Sequence, residues 1–183
     1  MADPDVDAWL PAALLGDTDA LDQIVKAYRP SVYRYCRSRL WDHETAEDVT
    51  QEVVLAMVQA LPRHRSTDHA LGAFVFGIAS NQVAMAHRSR ARRGTATDEV
   101  PDLADDAAGP EHLAVTQDAI GRLMLLVDQL PENQREIVML RVAAGLSAAE
   151  TAEVVGSSAG AVRVTQHRAL LRLRELAATE GVS

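Results

Sequence analysis

The chain has 183 residues, 48% of them hydrophobic and 24% charged, with a formal net charge of −8. That is enough for one domain or two small ones, each with a modest core, and it excludes wholesale disorder. A single cysteine, Cys36, excludes an intramolecular disulfide and fits a reducing compartment. Cys36 itself reads as a small hydrophobe filling a helix face.

The N-terminal stretch MADPDVDAWLPAALLGD carries acids where a signal peptide needs lysine or arginine. No apolar run approaches the ~18 residues of a membrane span. The expectation is a cytoplasmic protein with no membrane partner.

Helical spacing recurs along the chain and sustained alternation does not, so an all-α fold is expected. Prolines read as punctuators outside the long periodic runs. Residues 18–40 place Leu21, Ile24, Val25, Tyr28, Val32, Tyr35 and Cys36 at helical intervals. Residues 45–61 place Val49, Val53, Ala56, Met57 and Ala60 on one stripe, and 70–90 do the same with Leu71, Phe74, Val75, Ile78 and Met85. A second set of helices is expected at about 113–129, 132–144, 147–155 and 159–177.

Between the two sets, residues 98–111 read DEVPDLADDAAGPE, with six acids, two prolines and no base. This is the composition of a solvated flexible linker. Two small helical domains are therefore expected, 1–93 and 113–183, joined by an acidic linker over 94–112.

The second domain carries GLSAAETAEVVGSSAGAV, which has the layout of a helix-turn-helix. Ser147 and Glu150 form an S-x-x-E capping box, Ala152 is small where two helices cross, and Gly156 ends the first helix. The following helix buries Val162, Ala169 and Leu173, with Gln166 as a polar interruption. Its other face presents Ala161, Arg163, Val164, His167 and Arg168, with no acid before Glu175. A helix in the major groove must offer donors to phosphates and base edges, which explains one basic helix in an acidic chain. The alternative for this motif alone is a free-standing helix-turn-helix regulator.

The first domain ends in AHRSRARR, with Arg88, Arg90, Arg92 and Arg93 in six residues. That exceeds what the helix dipole needs at a C-terminus and points to a second nucleic-acid contact. Upstream, TAEDVTQEVVLAMVQAL sets Asp48, Gln51, Glu52 and Leu55 opposite its apolar stripe. Such an acidic face is solvated surface or a protein docking site, and periodicity alone does not choose.

The combination resembles one family. AEDVTQEVVLAMVQAL is similar to conserved region 2.2 of the extracytoplasmic function (ECF) sigma factors of bacterial RNA polymerase. AFVFGIASNQVAMAHRSRARR resembles regions 2.3 and 2.4, and the stretch from LPENQREIVML to LRLREL resembles region 4. RYCRSRL and GAVRVTQHRAL resemble most the actinobacterial SigD-like branch.

The resemblance implies a promoter-specificity subunit. Its partners would be core RNA polymerase, promoter DNA and an anti-sigma factor. Asp48, Gln51, Glu52 and Leu55 would then dock on core polymerase. Asn81, with Arg88, Arg90 and Arg92, would meet the melted −10 strand. Arg65, Asp68 and His69 in RHRSTDH would line a pocket for a flipped base. Arg163, Val164, His167 and Arg168 would enter the −35 major groove, about two helical turns away, on the order of 70 Å.

The chain departs from the family at Phe74, where many relatives have tryptophan, and at Val164, Thr165 and Gln166, where Ser-Arg-Leu is usual. Val164 can touch a thymine methyl but cannot donate a hydrogen bond.

An enzyme is not expected. His43, His64, His69, His87, His112 and His167 show no metal-ligand spacing, and there is no phosphate-binding G-x-x-x-x-G-K-[ST] loop. No cofactor, metal, catalytic residue or small-molecule substrate is implied.

Overall fold

A computed structural model describes residues 6–40, 42–64, 70–94 and 121–179. Within them every regular element is a helix. The order is α1 (Val6–Leu14), α2 (Thr18–Arg39), α3 (His43–Ala60), a short 3-10 turn (Leu61–Arg63) and α4 (Leu71–Arg93). There follow α5, whose described part is 121–128, α6 (Glu132–Val142), α7 (Ala148–Val155) and α8 (Ala159–Thr179). The linker expected over 94–112 lies outside the described residues except for Gly94.

Side-chain caps set two of the early boundaries. Asp17 accepts from the amides of Asp19 and Ala20 at 2.9 and 3.0 Å and starts α2. Asp42 accepts from the Thr45 amide at 2.7 Å and the Thr45 hydroxyl at 2.8 Å, starting α3. Each satisfies amides that the first turn leaves without a helical partner.

Two elements differ from the sequence expectation. Helix α1 is not among the expected helices, yet Val6, Leu10 and Ala13 recur at i, i+4 and i+7 and are all buried. Pro30 reads as a break in the sequence, but α2 runs through it. An interior proline removes one helical hydrogen bond and costs ~3 kcal/mol in isolation. Here Pro30 is on the solvent side, where water can reach the freed carbonyl. Ile24, Tyr28, Val32 and Tyr35 on the other side are buried both before and after it. Each such burial contributes ~1.5–3 kcal/mol, enough together to hold the helix continuous.

Helix α4 is buried on two sides. Leu71, Val75, Ala79 and Val83 are buried, and so are Gly72, Ala73 and Phe76. The helix touches α2 and α3 on one side and α7 on the other. Met85, expected on the apolar stripe, is 54% exposed instead.

One contiguous hydrophobic core runs from Val6 through Val83 into Met124, Leu130, Leu140 and Leu173. A smaller cluster of Ile137, Ala148, Ala152 and Val162 lies between α6, α7 and α8. The two halves of the chain therefore pack directly on each other.

Polar contacts accompany that packing. The Glu136 carboxylate of α6 accepts from the Tyr35 hydroxyl at 2.6 Å and the Ser80 hydroxyl at 2.9 Å. The Arg39 guanidinium pairs with Glu136 at 3.1 Å and also bonds Glu132. Burial opposes charge on Arg39, but the two carboxylates outweigh it and raise its pKa. Tyr35 is held well above the usual phenol range, first by burial and then by the Glu136 charge, so it stays a donor.

Candidate nucleic-acid interface

The C-terminal candidate is built by local chemistry. Ser147 Oγ accepts from the Glu150 amide at 3.2 Å, and Glu150 Oε2 accepts from the Ser147 amide at 2.8 Å. This reciprocal box fixes the start of α7. Gly156 ends it with φ +64°, a left-handed conformation that glycine adopts without a side-chain clash. Ser158 then accepts from the Ala161 amide at 3.2 Å and starts α8.

Ala152, 6% exposed, meets Val162, 0% exposed, where the two helices cross. Small side chains here let α8 approach closely. Ala169 and Leu173 continue the buried stripe into the main core.

Gln166 is half-buried and accepts from Arg141 Nε at 3.1 Å. Arg141 also donates to the Leu146 carbonyl, so it joins α6, the turn before α7, and α8. Gln166 stands out in the sequence as a polar interruption, whereas Arg141 does not. Its only signal is a base in the last turn of α6 opposite a polar group in an otherwise apolar stripe.

With the buried side so fixed, Arg163, Val164, His167 and Arg168 all come to the solvent-exposed side of α8. Val164 is half exposed, an apolar contact point among donors. Among the described residues neither Arg163 nor Arg168 is paired with an acid.

The N-terminal candidate lies on α3 and α4. Asp48, Gln51, Glu52 and Leu55 follow i, i+3, i+4, i+7 and are all exposed, Leu55 by 58%. Val49, Val53 and Met57 hold the opposite side in the core. On α4, Asn81, Met85, Arg88 and Arg92 follow i, i+4, i+7, i+11 and form one exposed stripe. Arg90 is not on it: at 100° per residue it falls on the opposite side of the helix and is half-buried.

Asp48 and Glu52 share a groove of about 670 Å³ with Arg88, Ser89, Arg92 and Arg93. The acidic stripe and the basic stripe are thus adjacent walls of one channel.

Phe74 stacks on His64 with ring centroids 4.5 Å apart. The pair fixes the chain at the threshold of residues 65–69. Arg65, Asp68 and His69 themselves lie outside the described residues.

A capped helix-turn-helix with a basic outer face, packed on a helical bundle that carries a second basic stripe, defines a two-region DNA-binding architecture. Family models match both regions: Sigma-70 region 2 over residues 24–93, and Sigma-70 region 4 over residues 120–173. The chain is 46% identical over 175 residues to the ECF RNA polymerase sigma factor SigD of Mycobacterium tuberculosis, covering 93% of this chain and 82% of that protein. It is 43% identical over 181 residues to the ECF sigma factor ShbA of Streptomyces griseus, covering 94% and 95%. Among solved structures, CnrH in complex with the cytosolic domain of CnrY superposes with a TM-score of 0.72 at 25% identity, covering 97% of this chain and 99% of that one. RpoE in complex with the anti-sigma factor NepR from Bartonella quintana shares the fold, with a TM-score of 0.68 at 23% identity and coverage of 85% and 94%. The chain belongs to the ECF RNA polymerase sigma factors.

Proposed function

We propose that this sigma factor engages its partners through three sets of residues, the first two on adjacent walls of one groove. Asp48, Gln51, Glu52 and Leu55 on α3 dock on core RNA polymerase. Asn81, Arg88 and Arg92 on α4 meet the −10 element, and Arg65, Asp68 and His69 take part in the same recognition. Arg163, Val164, His167 and Arg168 on α8 read the −35 duplex.

The observation that carries this reading is the sorting of charge by stripe. Helix α3 exposes Asp48 and Glu52 and carries no lysine or arginine, whereas α4 carries arginines and no acid and α8 exposes Arg163 and Arg168 with no acid before Glu175. A polyanion would be repelled by the first and bound by the other two. Proteins of similar sequence are sigma factors, and of the solved structures of similar fold one holds the anti-sigma factor NepR and one the cytosolic domain of CnrY, which supports an anti-sigma factor for this chain too.

Residues 1–93 and 113–183 act as the two working regions and 94–112 as the connection. The work is binding and positioning in the cytoplasm, beside the polymerase. Catalysis belongs to the polymerase.

Run-off transcription tests the reading. Core polymerase plus this chain should initiate at a defined set of promoters, and neither component alone should do so. Sequence-specific nanomolar binding of duplex DNA by the isolated chain at physiological salt would instead favour a free-standing regulator.

A further inference from the structure

Burial sorts the methionines of this chain. Among the described residues Met57, Met124 and Met139 are 1%, 9% and 5% exposed, and all three belong to the main core. Met85 is 54% exposed. Its place on α4 explains the difference. Val75, Ala79 and Val83 hold one buried line of that helix. Two residues beyond Val83, at ~100° per residue, Met85 is turned about 200° away from it.

That rotation sets Met85 between Asn81 and Arg88 on the exposed stripe, where it lines the groove shared with Gln82, Arg88 and Arg92. The amide and guanidinium groups of the stripe suit phosphates and base edges. A thioether suits neither. It suits the flat face of a base, which a duplex hides and an unstacked strand offers. An unbranched, polarisable side chain adapts to such a ring, and sulfur–aromatic contact is favourable.

Exposure also decides reactivity. Hydrogen peroxide transfers one oxygen atom to a thioether: the O–O bond breaks, an S–O bond forms and water leaves. Sulfur loses two electrons and the peroxide gains them. The product, methionine sulfoxide, is polar and chiral, and reductases specific for each epimer return it to the thioether. In that return two thiols become a disulfide and the oxygen leaves as water. Core packing shields Met57, Met124 and Met139 from this chemistry, whereas Met85 stands open to it.

We propose that Met85 is an apolar contact of the α4 stripe with the unstacked −10 strand, and that its reversible oxidation by peroxide weakens that contact. The sulfoxide oxygen needs hydration that a base face cannot supply, so the oxidised side chain no longer packs there. Arg88 and Arg92 keep their charge, so the phosphate contacts survive. The effect is a graded loss of strand capture, selective for one side chain. The inference rests on the assignment of the α4 stripe to the −10 element.

In the test, the chain alone is treated with hydrogen peroxide, freed of it with catalase, and only then mixed with untreated core polymerase. Peptide mass spectrometry should find Met85 oxidised before Met57, Met124 and Met139. The oxidised holoenzyme should bind a single-stranded −10 oligonucleotide about fourfold more weakly, which is what losing one methylene's worth of apolar contact amounts to. The two methionine sulfoxide reductases together should restore binding, and affinity for core polymerase should not move. Met85→Leu, compared with itself before and after peroxide, should show no change. Because that variant keeps Met1, Cys36 and the buried methionines, it removes them as the seat of the effect. Unchanged strand binding after full oxidation of Met85 would overturn the proposal. So would an equal loss in Met85→Leu, or a loss of core affinity in place of strand affinity. Arg88→Ala in the same assay separates this inference from the assignment beneath it. If Arg88→Ala weakens strand binding and oxidation does not, the role of Met85 alone falls. If neither weakens it, the α4 stripe is not the −10 surface and both fall.

Discussion

Arg141 Nε donates to Gln166 Oε1 across 3.1 Å, and this bond ties the last turn of α6 to the polar break in the buried stripe of α8. The same guanidinium bonds the Leu146 carbonyl just before α7. Arg141→Leu leaves both acceptors short of a partner in a half-buried site. The expected loss is about 1–3 kcal/mol, read as a lower urea midpoint with an unchanged slope. Adding Gln166→Leu should recover part of that loss, because removing both polar partners costs less than orphaning one.

Gly72 marks a close approach between the halves. A Cβ built there falls 2.5 Å from Glu150 Oε1 and 3.1 Å from Leu146 Cδ2. Glu150 cannot swing away freely, because its carboxylate closes the capping box on Ser147. Gly72→Ala should therefore either part α4 from α7 or break the box. A helix-cap loss is worth about 0.5–2 kcal/mol, and thermal unfolding should show a loss of that order. The effect should shrink in a Glu150→Ala background, where the obstructing carboxylate is gone.

Cys36 is buried, and its thiol is pushed up to about 11 by that burial, with a Thr50 hydrogen bond pulling the other way. A raised pKa keeps the neutral thiol in the folded state while the unfolded chain ionises near its ordinary value of 9.0. Its contribution to stability is therefore complete below pH 9 and declines as pH rises towards 11. At pH 8 the native protein should resist iodoacetamide, whereas the denatured chain should be alkylated readily. Rapid labelling of the native form would contradict the burial.

Local chemistry is legible in the sequence; long-range pairing is not. The helix-turn-helix is readable because its capping box, its left-handed glycine and its small crossing residue lie within ten residues of one another. The stripes of α3 and α8 are readable because each has one buried side. Helix α4 defeats the pattern: with α2 and α3 on one side and α7 on the other, Phe76 is buried while Met85 is exposed. Pro30 misleads because proline propensity is local and the packing that overrides it is not. Tyr35 and Glu136 are 101 positions apart, and no periodicity connects a tyrosine on one helix with a carboxylate on another.

The two basic surfaces proposed to meet DNA should differ in how they depend on sequence and on salt. Arg163 and Arg168 are on the exposed side of α8, and Arg88 and Arg92 are on the exposed stripe of α4. A side chain that reads a base edge loses ~1–3 kcal/mol on truncation, and only where that base is present. Alanine at Arg163 or Arg168 should therefore weaken promoters with an intact −35 element and leave promoters lacking one unchanged. A phosphate contact carries no sequence information, so alanine at Arg88 or Arg92 should weaken binding across promoters. It should also lower the slope of log K against log salt by ~1 for each phosphate left without its arginine. Arg90 is the internal comparison, since it lies across the helix from that stripe, and Arg90→Ala should leave the salt slope as in wild type. The measurement is holoenzyme binding against salt, with transcription from promoters mutated separately at each element. If the Arg163 and Arg168 variants lose activity equally with and without the −35 element, α8 is not reading sequence, and the recognition surface must be sought elsewhere on the second region.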